Sequence, residues 1–527
     1  MEKNRSRVLQ YILVILVGIY VGISIFRLVK PSGRSVDINA VNSDWAKLML
    51  VLQSVDNGYV ENIDHAAVTE DILPKIMEEL DPHSVYLPPM ELEKAEESLQ
   101  GGFDGIGIQF NVPNDTIVIT SVISGGPSER AGLMTGDRII KVGERVVAGV
   151  KMAQDTMVSL MKGPRGTNVK ITLNRMGEKE PLVFDIIRDK IPVKSVDVAF
   201  MINDTTGFVK LSKFARTSYP EFITALATLK SKGMRKLIFD LRDNTGGYLD
   251  QALMLCNEFL QKGDLIFYME GVHRPRQDMF ADGSGLCKDV ELAVLINEYS
   301  ASSSEIFAGA MQDNDRAMIY GVRSFGKGLV QESINFSDGS GIRLTTARYY
   351  TPTGRCIQKP YESYAEDFYE RYTNGELFSA DSIKVNDSLK YETPKGRIVY
   401  GGGGIIPDVF VPLDTVGVTE YLIKCNRQSM QIRFANKIAD ENRTEMRSLN
   451  DMQSIEAFLN RLNLESRFKR FTSEAGIVPK DSEWKISGKI IMTQVRALIS
   501  RYTPLGDDAF YPIYLKTDNV VKIALGE

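Results

Sequence analysis

Four serines fall within five residues, at Ser300, Ser302, Ser303 and Ser304, in the segment NEYSASSSEIFAGAM. The apolar run VELAVLIN precedes them, and a helical pattern beginning near Glu305 follows. A serine at such a junction can simply cap the helix by accepting a backbone N–H, and Ser303 or Ser304 would serve. One cap, however, takes one serine. A strand-to-helix turn also aims a hydroxyl at the helix N-terminus, where developing negative charge is stabilised. The segment reads either as a cap or as the seat of a nucleophile.

Two other junctions share this layout of an apolar strand ending in a loop of small or polar residues. In GVRSFGKGLVQ, Lys327 stands between Gly326 and Gly328, with Gln331 four residues on. A loop lysine is ordinarily a solvated charge. Flanking glycines permit close backbone approach, though, and strand periodicity would turn positions 327 and 331 to one side. In FDLRDNTGGYLD, the pair Gly246–Gly247 follows a strand. It is either a plain turn or an exposed pair of backbone N–H groups, the material of an oxyanion hole. In open α/β sheets, functional groups gather at such carboxyl ends of strands.

What could activate a serine here is restricted by composition. The chain has 3 histidines, His65, His83 and His273. Two precede the α/β region and the third lies in the polar loop GVHRPRQ, none with a suggestively placed carboxylate. The G-x-S-x-G elbow and the H-E-x-x-H zinc pattern are absent from the sequence. A serine hydrolase would need lysine as its base, a known variant of the triad logic. Free lysine, with a pKa of ~10.4, is charged near neutrality. Burial can lower that value by up to ~3–5 units and make the amine a proton acceptor.

The elements that must position these groups follow from pattern. Residues 31–43 read as a linker, and about 44–100 as helical support interrupted by DPHSVYLPP, whose prolines break the helix. From Gly101 to about 190 the texture is short strands and glycine turns, a β-rich unit of ordinary domain size. From 191 to 412, strand and helix alternate, which predicts an α/β architecture with a largely parallel sheet and an acidic, Tyr-rich insertion at about 361–396. GLVQESINFSDGSGIRLTTARYYTPTG reads as a hairpin, and residues 413–527 as mainly helical.

At the start, Val8 to Phe26 carries no charged residue and follows Lys3, Arg5 and Arg7. A helix needs about 20 such residues to cross the hydrocarbon layer. Residues 1–30 are therefore expected to be a cytoplasmic stub and membrane anchor, with the rest of the chain outside. A cleaved signal peptide is the competing reading, but the stretch exceeds the usual ~7–15-residue h-region and no small-x-small site directly follows. The chain of 527 residues exceeds one core. Its net charge of −5, with acids and bases interspersed, argues against nucleic acid. The 4 cysteines are scattered without C-x-x-C or zinc spacing, and read as unpaired small side chains.

As an ordered set these motifs resemble the C-terminal processing (tail-specific) serine peptidases of the S41 type. LDPHSVYL (80–87) resembles the family's N-terminal signature. FDGIGIQF and GGPSERAGLMTGDRIIKVGE resemble its PDZ module, and FDLRDNTGG, YSASSSEIFAGAMQD and FGKGLVQ its catalytic blocks. GGGGIIPDV resembles its closing strand. The resemblance spans about 45–412. It implies a crotonase-like α/β protease core (191–412), an inserted PDZ domain (101–190) and helical flanks. Carried over, it places the nucleophile at Ser302, the base at Lys327 and its orienting partner at Gln331. The oxyanion hole falls at the N–H of Ser303 and of Gly247 or Gly246, Gly247 being preferred. Where many relatives have alanine, Ser303 stands here; only its amide is required.

The resemblance further implies that Gly105, Ile106, Gly107 and Ile108 cradle the terminal carboxylate of a protein or peptide tail, while the following strand pairs with it. Neither cofactor nor metal is implied. Placement outside the membrane, in a periplasmic or other extracytoplasmic compartment, follows from the anchor. A homo-oligomer or a regulatory partner is compatible with the sequence, which does not choose. The main rival is a non-enzymatic, membrane-tethered PDZ adaptor or chaperone. An acyl-CoA enzyme on the related crotonase fold is a second. Retention of serine, lysine and glutamine argues against the first, and the PDZ module against the second.

Overall fold

The computed structural model describes residues 43–527 apart from positions 124 and 363. The segment Val8–Phe26, expected to be an anchor, lies outside the described residues. Among those described, no helix is long and apolar enough to cross a membrane. Helix α1 (Ser43–Gly58) and α2 (His65–Glu78) come first. Among the described residues, those up to Lys75 belong to one compact unit and Ile76–Glu527 to a second.

In the second unit, the DPHSVYLPP segment does more than break a helix. It forms strand β1 (Val85–Leu87), and Pro89 then opens α3 (Pro89–Leu99), where a missing N–H costs no helical bond. The β-rich unit follows. Its strands are β2 (Gly102–Gly105), β3 (Ile108–Asn111) and β4 (Ile117–Val122), then the short helix α4 (Pro127–Ala131). After these come β5 (Arg138–Val142), β6 (Arg145–Val146), α5 (Gln154–Met161), β7 (Asn168–Asn174) and β8 (Leu182–Ile187). The sheet order is β3-β4-β5-β7-β8, which leaves β3 at an edge. Along β7 alternate residues are buried, as one-sided packing requires, and Val169, Ile171 and Leu173 join Ile117, Ile119 and Ile139 in a separate core. Strand β9 (Asp189–Pro192) pairs antiparallel with β2, so the chain enters and leaves this unit along one ribbon.

The α/β region begins with β10 (Val196–Met201), β11 (Thr206–Leu211), α6 (Ser218–Ser231), β12 (Lys236–Asp240) and α7 (Leu249–Asn257). Next are β13 (Leu265–Gly271), β14 (Arg274–Phe280), β15 (Glu291–Ile296), α8 (Ser303–Asp313) and β16 (Met318–Gly321). The hairpin β17 (Leu329–Asn335) and β18 (Gly341–Tyr350) is followed by α9 (Asp367–Thr373), the small pair β19 (Lys390–Glu392) and β20 (Ile398–Tyr400), and β21 (Val409–Phe410). The main sheet runs β10-β11-β12-β15-β16-β21, parallel from β11 onward and antiparallel only at β10. A second sheet, β1-β18-β13-β14 with β17 also on β18, carries the hairpin.

Strands β12 and β15 are buried almost end to end, the signature of central parallel strands covered on both faces. Period-two alternation sorts their side chains. Leu237, Phe239, Val294 and Ile296 pack under Leu255 of α7 and Phe307 of α8. Ile238, Ala293 and Leu295 face the opposite side and meet Leu515, Val521 and Ala524 from the far end of the chain. The C-terminal region consists of α10 (Glu420–Arg427), α11 (Met430–Glu441), α12 (Arg443–Met446) and α13 (Met452–Arg461). It continues through α14 (Leu464–Glu474), α15 (Asp481–Ser500), α16 (Asp507–Tyr514) and α17 (Asn519–Leu525). This region has its own apolar core and covers the second face of the main sheet. It also reaches the β-rich unit, where Arg138 binds Asp440 at 2.5 Å and the fully buried Asp137 is shared by Arg175 and Arg443. All four cysteines are unpaired thiols.

Candidate active site

The three junctions lie at the carboxyl ends of β12, β15 and β16, neighbours in the main sheet, and hydrogen bonds tie them together. After β12, the Asn244 side chain donates to Leu211 O (2.8 Å) and accepts from Gly246 N (2.9 Å), while its carbonyl accepts from Ala301 N (3.0 Å) and Ser304 Oγ (2.8 Å). Ser303 Oγ donates to Gly247 O (3.0 Å), and Ser300 Oγ to Leu241 O (2.8 Å). Three of the four serine hydroxyls thus brace the serine loop against the glycine turn. These three residues are buried, while Ser302 retains partial solvent access. Ser302 also has φ 54° and ψ −114°, a conformation unfavourable for an L-residue with a side chain and a mark of stored strain.

The glycine pair is shaped by close approach. A Cβ on Gly246 would sit 2.9 Å from Ser302 Cβ and 3.0 Å from Ser303 N. One on Gly247, whose φ is 146°, would sit 2.2 Å from Phe214 O. Only glycine fits at either position. The Gly246 N–H is occupied by the Asn244 side chain. Ser303 N opens helix α8, in the turn whose amides have no intrahelical acceptor.

Lys327 lies in the loop before β17, and its Nζ donates to Gln331 Oε1 at 2.7 Å. The two meet for a different reason from strand alternation: Lys327 precedes the strand, and the register shifts between Val330 and Gln331. Burial first, and the Arg343 charge second, lower the Lys327 ammonium to about 8 against the opposing charges of Glu305 and Asp81. A minor neutral fraction at pH 7, growing steeply through pH 8, follows.

Glu305 links the serine and lysine loops. Its carboxylate is completely buried and accepts from Ser302 N (2.9 Å), Ser324 Oγ (2.5 Å), Gly326 N (2.7 Å) and Lys327 N (2.8 Å). Burial nevertheless holds its pKa above the usual carboxylate value, those four hydrogen bonds opposing. Glu305 was not singled out from sequence, although Ser302-x-x-Glu305 is a capping-box pattern that signals it. The second residue sequence reasoning missed is at the LDPHS turn: Gln331 Nε2 donates to the main-chain oxygen of His83 at 2.5 Å. The His83 ring, lowered to about 4 by burial and by Lys327, contacts Tyr364 through Nε2 (2.5 Å). His65, in α2, and His273, in the turn between β13 and β14, belong to no part of this cluster.

In the β-rich unit, Gly105 ends β2 and Ile108 begins β3, with Gly107 between them at φ 78°. The carbonyls of Ile106 and Gly107 accept from Ser128 N and Ile123 N, each at 3.0 Å. Helix α5 and the edge strand β3 belong to the same small domain, and a strand with one neighbour keeps a free row of backbone groups. Among the described residues no cluster of side chains suited to a metal ion occurs.

A strained serine at the head of a buried helix, a partly buried lysine in a neighbouring loop and a small β-rich insert are features that suit a serine peptidase. Comparison with known proteins agrees at the level of family. The chain matches Peptidase family S41 over residues 205–363 and a PDZ domain over 105–186. It is 35% identical over 312 residues to a carboxy-terminal-processing protease of Bartonella bacilliformis, covering 58% of this chain and 71% of that one. It is 32% identical over 366 residues to a probable CtpA-like serine protease of Staphylococcus epidermidis, covering 68% of this chain and 73% of that one. Among solved structures, the photosystem II D1 C-terminal processing protease aligns at 25% identity and a TM-score of 0.39, covering 72% of this chain and 89% of that one. The chain belongs to the S41 family of carboxy-terminal-processing serine peptidases.

Proposed function

We propose that this protein is a membrane-anchored endopeptidase that cleaves proteins near their C-termini, with Ser302 as nucleophile and Lys327 as general base. One observation carries the reading: Lys327 is partly buried, lowered to about 8 and held by Gln331, in a loop that Glu305 fastens to the backbone of Ser302. In the reaction, neutral Lys327 Nζ takes the Ser302 Oγ proton while Oγ attacks the peptide carbonyl carbon. The resulting oxyanion is stabilised by the N–H groups of Ser303 and Gly247, since that of Gly246 is already engaged. Collapse breaks the C–N bond, and the Lys327 ammonium protonates the leaving amine. Water then attacks the acyl ester while Lys327 takes its proton; the ester C–O bond breaks, Lys327 returns that proton to Ser302 Oγ, and the product leaves as its carboxylate.

The turn 105–108 would receive the substrate's terminal carboxylate, and β3 its extended tail. Anchoring rests on the uncharged stretch Val8–Phe26 and would place the peptidase on the outer side of the membrane. The test is to incubate the full chain, in detergent, with a folded protein bearing an apolar C-terminal tail, and to read product termini by mass spectrometry. Shortened C-termini are expected from the native enzyme and none from Ser302→Ala. Equal cleavage by that variant, or no cleavage of any tailed substrate, refutes the proposal.

A further inference from the structure

The LDPHS turn is the motif for which the reaction above has no use, yet it is built with unusual care. Asp81 is 8% exposed, and its carboxylate takes three donors: His83 N (2.8 Å), Ser84 N (2.9 Å) and Ser84 Oγ (2.6 Å). Burial pushes its pKa up, but these hydrogen bonds outweigh burial and hold it below the usual aspartate value. Ser84 Oγ in turn accepts from Thr345 N of β18 (3.1 Å), and β1 continues the attachment by pairing Val85 with Arg343. Thr345 is the cross-strand partner of Gln331. The turn and the glutamine are therefore fixed to the same point of one strand.

That attachment has a chemical consequence. A carboxamide has one donating and one accepting end, and a main-chain carbonyl can only accept. With His83 O placed against Gln331, the amide must present its nitrogen there, which leaves Oε1 facing Lys327 Nζ. A flipped amide would set oxygen against oxygen and a donor against the lysine. When Lys327 is neutral, one N–H given to Oε1 restricts where its lone pair can point.

We propose that Asp81 is a positioning residue for the base: by fixing the turn 81–84 it holds the His83 carbonyl where that carbonyl locks the Gln331 amide toward Lys327. The proposal rests on the reading of Lys327 as base. The charged or titratable groups facing Lys327 are Asp81, Glu305, Arg343 and His83. Asp81 and Glu305 favour its ammonium, Arg343 opposes it, and His83 is neutral in the working range.

The test uses the full chain with Asp81→Asn and Ser84→Ala. The readouts are kcat and KM for a tailed peptide and the rate of Ser302 labelling by a fluorophosphonate, both followed from pH 6 to 10. Asp81→Asn is expected to lower kcat about 10- to 100-fold, the scale of a misplaced reacting group, with KM unchanged. Its acidic limb should also move to lower pH, because a negative charge near the ammonium is gone. Ser84→Ala keeps that charge, so it should lower kcat less and leave the limb in place. Titrated Ser302 sites correct for any loss of folded protein. A kcat within twofold of native in Asp81→Asn, or a loss of kcat with no movement of the limb, overturns the proposal. Should that variant not fold, a native kcat in Ser84→Ala does so. Lys327→Met separates the two levels: if it is active, the base assignment itself fails. If it is dead while Asp81→Asn is native, only the positioning role fails.

Discussion

Replacing Lys327 by methionine should inactivate the enzyme and at the same time make its fold more stable. The lysine's pKa falls from the ordinary 10.5 to about 8 in the folded chain, mainly through burial. Each pKa unit corresponds to about 1.4 kcal/mol, so at pH 7, where both states mostly hold the proton, the partly desolvated ammonium costs the native state roughly 3 kcal/mol. The sign follows from proton counting. Between pH 8 and 10.5 the unfolded chain binds more protons than the native one, so stability rises with pH across that window. Below pH 8 the full penalty applies. Lys327→Met removes the penalty and should flatten this part of the stability curve, read by urea unfolding at pH 7 and pH 10. Activity should respond oppositely. The kcat/KM profile of the native enzyme should rise through a single ionisation near pH 8, and Lys327→Met should lower kcat by about 10³-fold or more. Lys327→Arg keeps a charge that cannot be given up, and should be as inactive. An active Lys327→Met or Lys327→Arg enzyme, or an acidic limb near 10, would show that this amine is not the proton acceptor.

Two further substitutions test the frame around that amine. Glu305→Gln presents an NH₂ to part of a site built from four donors, and should destabilise the fold by about 2–4 kcal/mol in urea melts while lowering kcat more than it raises KM. Native kcat in that variant would mean the two loops do not depend on the carboxylate. Gly247→Ala drives a Cβ into Phe214 O, 2.2 Å away, at a φ that side chains avoid; it should cost about 2 kcal/mol or more and depress kcat of the folded fraction. Unchanged turnover would remove Gly247 from the oxyanion site.

Much of the chemistry was legible because it resides in residue types at strand ends. The three loops after β12, β15 and β16 could be found from apolar runs followed by small residues, since a parallel sheet sends such loops to one edge. Restricting the base to lysine needed only the positions of 3 histidines. Local pattern could not rank the four serines, whereas packing does: the hydroxyls of Ser300, Ser303 and Ser304 are engaged by the neighbouring turns and Ser302 is left strained and partly open.

The sequence by itself determined which groups exist and that an α/β sheet would line up their loops, because periodicity and turn chemistry act over a few residues. Tertiary structure alone decided the electrical state of Lys327, since desolvation depends on everything packed around it. It also decided the partner of Gln331, a carbonyl 248 residues away that is brought in by strand pairing. The same holds for the C-terminal helices, whose pattern named no role. Val521 and Ala524 cover the second face of the sheet because strands buried on both sides must be closed by something, and only the folded chain shows what.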